Sequence, residues 1–148
     1  MTHGVGEVAR MLDVPASTLR YYESKGLLPA LSRSAGGRRQ FSDADVKACR
    51  VIGCLKESGL SIKRIKGFMD MVVEGDRTLE GRLELFRDRR DALREEIEQL
   101  QDTLAILEFK CWYYETAVEA GTEDAVRGMR VDQIPPAHRK AKAALGGR

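Results

Sequence analysis

Arginine and tyrosine side chains that could bind a polyanion stand together in the segment STLRYYESKG, residues 17–26. Successive residues of a helix point about 100° apart. One of the adjacent Tyr21 and Tyr22 can therefore be buried, while the other faces outward. An outward tyrosine beside Arg20 indicates a binding surface, because the guanidinium group donates several hydrogen bonds in one plane and suits phosphate.

The cysteines and histidines show no metal-binding or disulfide pattern. Cys49, Cys54 and Cys111 are odd in number and include no CxxC pair. Such a set argues against a disulfide framework and against a zinc finger. His3 and His138 are both expected to lie in terminal tails. We therefore expect no metal and no cofactor.

Positive charge is concentrated in the N-terminal half of the chain, although the formal net charge is only +2. Residues 17–66 carry eleven Lys/Arg and four Asp/Glu, a net of +7, whereas residues 76–148 carry thirteen and fifteen, a net of −2. This asymmetry favours a polyanionic partner that contacts only the N-terminal half, although a solvated charged surface would give the same counts. No apolar run approaches the roughly 20 residues of a membrane span. The first ten residues lack the apolar core of a signal peptide, so we expect a cytoplasmic protein.

Two short helices are expected to position the Arg20 segment. Residues 5–12 carry apolar side chains at helical spacing, and the sequence DVP then interrupts the pattern. A second helix is predicted from residue 16 to residue 25, with Gly26 as its stop. Two such helices form a helix-turn-helix, whose second helix lies in the major groove of DNA with its early residues toward the bases.

The next segment predicts a basic β-hairpin. The stretches ALSR and RRQF are separated by a turn that contains Gly36 and Gly37. Arg33, Arg38 and Arg39 lie on or near this hairpin. A basic hairpin beside a helix-turn-helix is a wing, and its expected partner is phosphate.

Two further helices follow the wing. Ser42 and Asp45 have the spacing of a capping box at the start of the first, which Gly59 ends. Ser61 is predicted to cap the second, and Lys63 and Arg64 near its start are further basic side chains. The pair is expected to extend the DNA-binding region.

The longest predicted element is a coiled coil. From Leu79 to Val118, apolar positions recur at alternating spacings of four and three residues without interruption. Arg90 is the one charged residue at these positions. About forty helical residues measure roughly 60 Å, which is too long to be covered by a domain of about 70 residues. A second copy is therefore required, in either direction. The expected dimer contacts are Leu83, Phe86, Leu93, Ile97, Leu100, Leu104, Leu107 and Cys111.

The predicted fold is mainly α-helical. It comprises a winged helix-turn-helix domain in residues 1–75 with a small β-hairpin wing, a long dimerisation helix in residues 76–119, and a flexible tail in residues 120–148. The tail contains the prolines of IPPAH and a basic Ala/Gly stretch. Such a tail either adds weak affinity for nucleic acid or has no specific role.

Three motifs together resemble the MerR family of bacterial transcription regulators. They are VGEVARMLDVPASTLRYYESKGLL, GGRRQFSDADV and LKESGLSIKRIKGF, and the resemblance covers about residues 4–118. Two positions depart from the family pattern. Pro15 stands where a capping serine is common, and Phe41 stands where the wing often carries tyrosine.

The resemblance implies roles for individual residues. Arg20 and the two tyrosines would grip the DNA backbone and pack the recognition helix, and Ser17 and Thr18 would reach base edges. Alternatively, Tyr22 is a core residue, and Arg20 pairs with Glu23 or Glu7. The expected DNA contacts are Ser17, Thr18, Arg20, Tyr21, Tyr22, Arg33, Arg38, Arg39, Lys63 and Arg64.

The resemblance also implies a mechanism. Family members bind near-palindromic promoter sites as dimers, and they bend and untwist the DNA so that RNA polymerase finds its promoter elements in register. A signal needs only to shift the relative populations of two dimer geometries. The expected location is the bacterial cytoplasm, at the nucleoid.

The segment that begins at Cys54, CLKESGLSIKRIKGFMDMVVEGDRT, resembles the branch that senses aldehydes or reactive nitrogen and oxygen species through one cysteine. Cys54 has the position of that cysteine, and nearby basic residues would favour its reactive thiolate. Alternatively, it is an ordinary buried cysteine, as Cys49 is expected to be. The aromatic residues beside Cys111 are expected to pack the helix end, with a small-ligand pocket as the alternative.

The residues also bear on two other functions. A constitutive DNA-bending protein of the excisionase type would use the same winged helix without an effector, but the long dimer helix favours a regulator. An enzyme is not expected, because the sequence contains no Ser/His/Asp set, no Gly-rich phosphate loop and no paired acids in a plausible pocket.

Overall fold

The computed structural model of the chain describes residues 1–146. Its helices are α1 (Val5–Leu12), α2 (Ala16–Ser24), α3 (Asp43–Glu57), α4 (Ile62–Glu74), α5 (Leu79–Ala120), α6 (Asp124–Arg127) and α7 (Pro136–Gly146). Its strands are β1 (Thr2–Gly4), β2 (Ser32–Arg33) and β3 (Arg39–Ser42), and 3₁₀ turns lie at Asp76–Thr78 and Val131–Gln133. The chain divides into two compact units, Met1–Asp91 and Ala92–Arg148.

The predicted helix-turn-helix is present as α1 and α2. Val8 and Leu19 are fully buried between the helices and the rest of the first unit. At the end of α2, the N–H of Gly26 donates to the carbonyl of Glu23 and the N–H of Leu27 donates to that of Tyr22, both at 3.0 Å. Gly26 has a φ of 68°, which favours glycine and permits this helix-ending turn.

Both predicted caps after the wing are formed. Ser42 Oγ accepts a hydrogen bond from the N–H of Asp45 at 3.2 Å, and Asp45 Oδ2 accepts one from the N–H of Ser42 at 2.8 Å. Ser61 Oγ accepts from the N–H of Arg64 at 3.3 Å. The start of each helix is therefore encoded by residues within three positions of it. Together the two helices bury Val46, Cys49, Ile52, Leu55, Ile65 and Phe68.

The wing belongs to a three-stranded antiparallel sheet in the order β1-β3-β2. The predicted hairpin of β2 and β3 is present, with Gly37 in its turn at a φ of 73°. Strand β1 adds a third member, with Thr2 opposite Ser42 and Gly4 opposite Gln40. The placement of His3 in a terminal tail is therefore wrong. Three residues carry no periodic pattern, and they form a strand only because the edge of β3 is available.

Helix α5 has 42 residues, and its predicted heptad stripe is largely exposed, although the stripe residue Phe86 packs edge-on against Phe68. The side chains that it buries lie elsewhere on the helix, namely Leu85 in the first unit and Phe109 and Ala117 in the second. The stripe is 69% exposed at Leu100 and 79% at Val118. Neither α5 nor any other helix within residues 1–146 is long and apolar enough to cross a membrane.

Residues 121–146 fold onto the C-terminal half of α5. Ile134 and Ala141 are buried with Phe109, and the ring of His138 stacks on Trp112 with centroids 5.6 Å apart. The prediction of a flexible tail in residues 120–148 is therefore wrong for its described part, and His138 does not lie in a tail. The apolar residues here are sparse and interrupted by prolines, so their order depends on the surface that α5 provides.

Candidate nucleic-acid interface

A groove in the first unit brings together the start of α1, helix α2 and the wing. Its volume is about 450 Å³, and its lining includes residues 4–6, Arg20, Arg38 and Arg39. The first N–H groups of a helix have no partner within the helix, and no side chain caps those of α1. Backbone donors and three guanidinium groups thus line one groove. This arrangement suits the phosphate backbone of a nucleic acid.

Glu23 of α2 ties the wing to that helix. Arg39 Nε donates a hydrogen bond to its carboxylate, and Arg33 Nη2 lies 3.7 Å from its Oε1. The alternative pairing of Arg20 with Glu23 or Glu7 is not formed. Among the described residues, Arg20 and Arg38 have no carboxylate partner, and both side chains are exposed. Arg33 and Arg39 therefore hold the wing in place, while Arg20 and Arg38 keep their donors for a ligand.

The adjacent tyrosines face different surroundings. Tyr21 is 38% exposed, and the ammonium groups of Lys25 and Lys56 lie 5.6 and 5.8 Å from the centroid of its ring. Tyr22 is 3% exposed and lies in the core with Leu19, and burial raises the pKa of its hydroxyl. The assignment of Tyr22 as a DNA contact is therefore wrong. Sequence reasoning also missed Lys56, since nothing local connects it to Tyr21.

The remaining predicted contacts lie at the starts of helices. Ser17 is exposed and Thr18 is half-buried in the first turn of α2. Lys63 and Arg64 are exposed in the first turn of α4, where Arg64 Nη2 lies 3.8 Å from Asp88 Oδ2. Their contact with DNA stays a prediction.

The two cysteines of α3 differ in exposure. Cys49 is buried, which raises the pKa of its thiol to about 11, as befits the predicted core residue. Cys54 is exposed, so it is not the ordinary buried cysteine of the alternative reading. A cavity of about 220 Å³ is lined by both cysteines, Tyr22, Arg50 and Glu57, among others. Cys54 therefore shares a cavity with a residue of α2.

A network that the sequence did not indicate links β1 to the starts of α1 and α3. His3 Nε2 lies 2.9 Å from Asp43 Oδ1, and His3 Nδ1 lies 3.0 Å from Glu7 Oε1. The N-terminal amine of Met1 lies 3.3 Å from Asp43 Oδ2. The hydrogen bonds to Asp43 and then Glu7 raise the pKa of His3, and those to His3 lower the pKa values of both carboxyl groups. Neither this set nor any other in the described part of the chain forms a group that could hold a metal ion.

Comparison with known proteins identifies the family. Residues 4–72 match the family model of the MerR HTH family regulatory proteins, and residues 46–108 match the model described as MerR, DNA binding. A protein of Haemophilus influenzae, named an uncharacterized HTH-type transcriptional regulator, is 36% identical over 135 residues, which is 91% of this chain and 98% of that protein. The chain belongs to the MerR family. The resemblance inferred from the motifs is therefore confirmed, and the arginine-lined groove lies within the matched residues.

Other MerR proteins resemble this one over much of its length. The crystal structure of HiNmlR, described as a MerR family regulator lacking the sensor domain and bound to promoter DNA, has a TM-score of 0.74 and 36% identity, covering 91% of this chain and all of that one. A MerR regulator of Listeria monocytogenes has a TM-score of 0.72 and 32% identity, with coverage of 83% and 93%. The regulator AdhR of Bacillus subtilis is 37% identical over 62% of this chain and 65% of its own length. This MerR protein is accordingly a DNA-binding transcriptional regulator.

Proposed function

We propose that this protein binds promoter DNA as a homodimer, with α2 in the major groove and Arg20 and Arg38 on the phosphate backbone. The observation that carries the proposal is the arginine-lined groove, in which two guanidinium groups without carboxylate partners lie beside α2. The net charge of +7 over residues 17–66 supports a polyanionic partner. The promoter DNA in the HiNmlR structure supports the same partner class.

Further contacts follow from the surroundings of the groove. Ser17 and Thr18 stand in the first turn of α2, the part that faces base edges in a helix-turn-helix. The exposed ring of Tyr21, with two lysines beside it, offers a hydroxyl donor within a positively charged surface. Lys63 and Arg64 at the start of α4 extend that charge. These side chains are proposed to fix register and sequence, while Arg20 and Arg38 provide sequence-independent affinity.

The homodimer is proposed to form through α5. Its heptad stripe exposes ten large apolar side chains in the described chain, with Arg90 as its one charged position, and an apolar surface of that extent marks an interaction site. The matching 3,4 spacing on a second copy would bury these side chains by knobs-into-holes packing. The interface is expected to contain Leu83, Phe86, Leu93, Ile97, Leu100, Leu104, Leu107 and Cys111.

The charges of α5 favour an antiparallel pair. Residues 79–94 carry five Arg and four Asp/Glu, a net of +1, whereas residues 95–120 carry one Lys and seven Asp/Glu, a net of −6. Parallel helices would place the two acidic halves side by side, which is repulsive. Antiparallel helices place each acidic half against the more basic half of the partner.

A dimer of this kind can distort the DNA that it holds. Two recognition helices on one rigid dimer fix the separation of two half-sites, and bending or untwisting the DNA between them costs several kcal/mol that the paired contacts offset. We infer that the distortion presents promoter elements to RNA polymerase in the bacterial cytoplasm, at the nucleoid.

The signal is proposed to act at Cys54. The sulfur would add to the carbonyl carbon of an aldehyde, while the thiol proton passes to the carbonyl oxygen, which gives a hemithioacetal. The adduct would enter the cavity of about 220 Å³ that Tyr22 of α2 also lines. It would therefore press on the buried side of the recognition helix and bias the two dimer geometries.

Substitutions in the groove test the DNA-binding proposal. Arg20→Ala and Arg38→Ala are each expected to weaken binding and to reduce the slope of log K against log salt by about one, because each removes one phosphate contact. The measurement is fluorescence anisotropy over a salt series with a random-sequence duplex, since phosphate contacts do not depend on sequence.

Arg77→Ala is the matched control, because its side chain pairs with Glu74 and does not line the groove. The control is expected to keep the wild-type affinity and slope. If Arg20→Ala and Arg38→Ala also keep both, the groove is not the phosphate site.

A further inference from the structure

The second unit contains a small cavity that the proposed DNA-binding function does not use. Its volume is about 130 Å³. Phe109 and Trp112 of α5 line it with stacked rings whose centroids are 6.0 Å apart, and Ile134, 2% exposed, lines it as well. An engineered apolar cavity of about 150 Å³ admits benzene, so the size suits a single ring or a short branched chain.

One cation on the wall of this cavity has no counter-ion among residues 1–146. Lys142 is partly buried, and its Nζ donates a hydrogen bond to the carbonyl of Met129 at 3.0 Å. No carboxylate within residues 1–146 pairs with it. An ammonium group has three N–H donors, so two of them remain available to a ligand.

Two other polar side chains of the wall, Arg127 and Tyr113, are already engaged. Arg127 pairs with Glu123 at 3.2 Å and with Asp124 at 3.4 Å. The hydroxyl of Tyr113 donates to Glu123 Oε1 at 2.9 Å. The cavity therefore offers one positive charge and an aromatic wall, which matches a ligand with one negative charge on an apolar body.

We propose that this cavity binds a small hydrophobic monocarboxylate, with benzoate as the simplest probe. The carboxylate would accept hydrogen bonds from Lys142, and the ring would pack on Phe109 and Trp112. A charged hydrogen bond supplies the selection for an anion, and the apolar wall excludes strongly hydrated ions such as inorganic phosphate. The site shares no residue with the DNA-binding groove or with the Cys54 cavity, so it is a separate ligand site.

The fluorescence of Trp112 measures occupancy directly, because it is the one tryptophan of the chain. Titration of the full chain with sodium benzoate at constant ionic strength is expected to give a saturable change in emission. Benzamide has the same ring without the charge and is expected to bind about tenfold more weakly, since it cannot form a charged hydrogen bond. No DNA is needed, so this result is independent of the groove and of its test.

The variant Lys142→Gln provides a second test of the proposal. It is expected to lower the affinity for benzoate about tenfold, to that for benzamide. Lys140→Gln is the control, because it lies on the same helix with a side chain 91% exposed and does not line the cavity. The proposal is overturned if wild type gives no saturable signal, if benzoate and benzamide bind equally, or if Lys142→Gln binds benzoate as wild type does. The ligand comparison uses the wild-type chain and does not depend on the folding of any variant.

Discussion

Tyr21 and Tyr22 are neighbours in sequence, yet one lies under two lysines at the surface and the other lies in the core. Along α3, Cys49 is likewise buried, whereas Cys54 is exposed. The residue type alone does not decide such roles. The helical angle separates the side chains, and the packing of the neighbouring element determines which of them is covered.

His3 is a site at which charge and stability are linked. Its raised pKa means that its contribution to the free energy of unfolding is complete below its ordinary pKa of 6.5 and is lost as the pH rises through the raised value. The lowered pKa of Asp43 makes the free energy of unfolding depend on pH in the acidic range. Its contribution is present above the ordinary pKa of 3.8 and is lost as the pH falls through the lowered value.

Asp43→Asn is therefore expected to lower the pKa of His3, because it removes the largest cause of the shift. It is also expected to destabilise the first unit more at about pH 6 than at about pH 9, where the imidazole is neutral. NMR titration of the His3 ring and urea unfolding at both pH values are the measurements.

The control for this prediction is Asp70→Asn, which removes a carboxylate that pairs with Lys66 instead of a histidine. It is expected to leave the titration of His3 unchanged. An unchanged pKa of His3 in Asp43→Asn would mean that the network does not hold the charged imidazole.

Among the elements, helix α5 has two roles, packing within its own chain and presenting an apolar stripe to a partner. Different faces of the helix carry these two roles. The residues that it buries within the chain, such as Leu85 and Phe109, lie off the heptad stripe, and the stripe remains exposed. Apart from Phe86, whose ring contacts Phe68, the stripe is left largely to solvent within residues 1–146, and it is expected to pack on a second copy.

Leu100→Asp tests that interface. Each copy would bury a carboxylate without a partner, so self-association is expected to weaken by at least about a hundredfold. Specific DNA binding should weaken with it, since both half-sites are needed. Sedimentation velocity over a concentration series measures the dimer.

Gln99→Asp is the matched control, because it adds the same charge at an exposed position that points away from the stripe. It is expected to keep the oligomeric state of wild type. A Leu100→Asp chain that stays dimeric would show that the stripe is not the interface.

At the scale of the whole molecule, the function depends on whether a signal changes how the protein holds DNA. A regulator changes its DNA affinity or geometry when the effector binds, whereas an architectural bender of the excisionase type does not. A substitution of Cys54 can distinguish the two classes, because this cysteine is exposed and lines a cavity that Tyr22 of α2 also lines.

Acetaldehyde is expected to change the DNA affinity of wild type about fivefold or more, the usual size of allosteric coupling, and to leave Cys54→Ser unaffected. Anisotropy with promoter DNA and transcription from that promoter are the measurements. Cys111→Ser is the control, since its thiol is also exposed. A response that survives in Cys54→Ser excludes this cysteine as the sensor, and a wild type that does not respond to aldehyde or oxidant favours the architectural alternative.

The local elements were determined by the sequence itself. The helix-turn-helix, the capping box of Ser42 and Asp45, the glycine turn of the wing and the stripe of α5 each depend on residues a few positions apart. Their periodicity and capping chemistry are therefore visible in one dimension. The motifs that indicated the MerR family lie in these same elements.

The tertiary structure alone decided which distant side chains meet. His3 and Asp43 are 40 positions apart, Arg39 and Glu23 are 16 apart, and the order of residues 121–146 depends on the aromatic surface of α5. The benzoate-sized cavity arises from that same docking. No local pattern encodes such pairs, because each is formed only when the packing of several elements brings the two surfaces together.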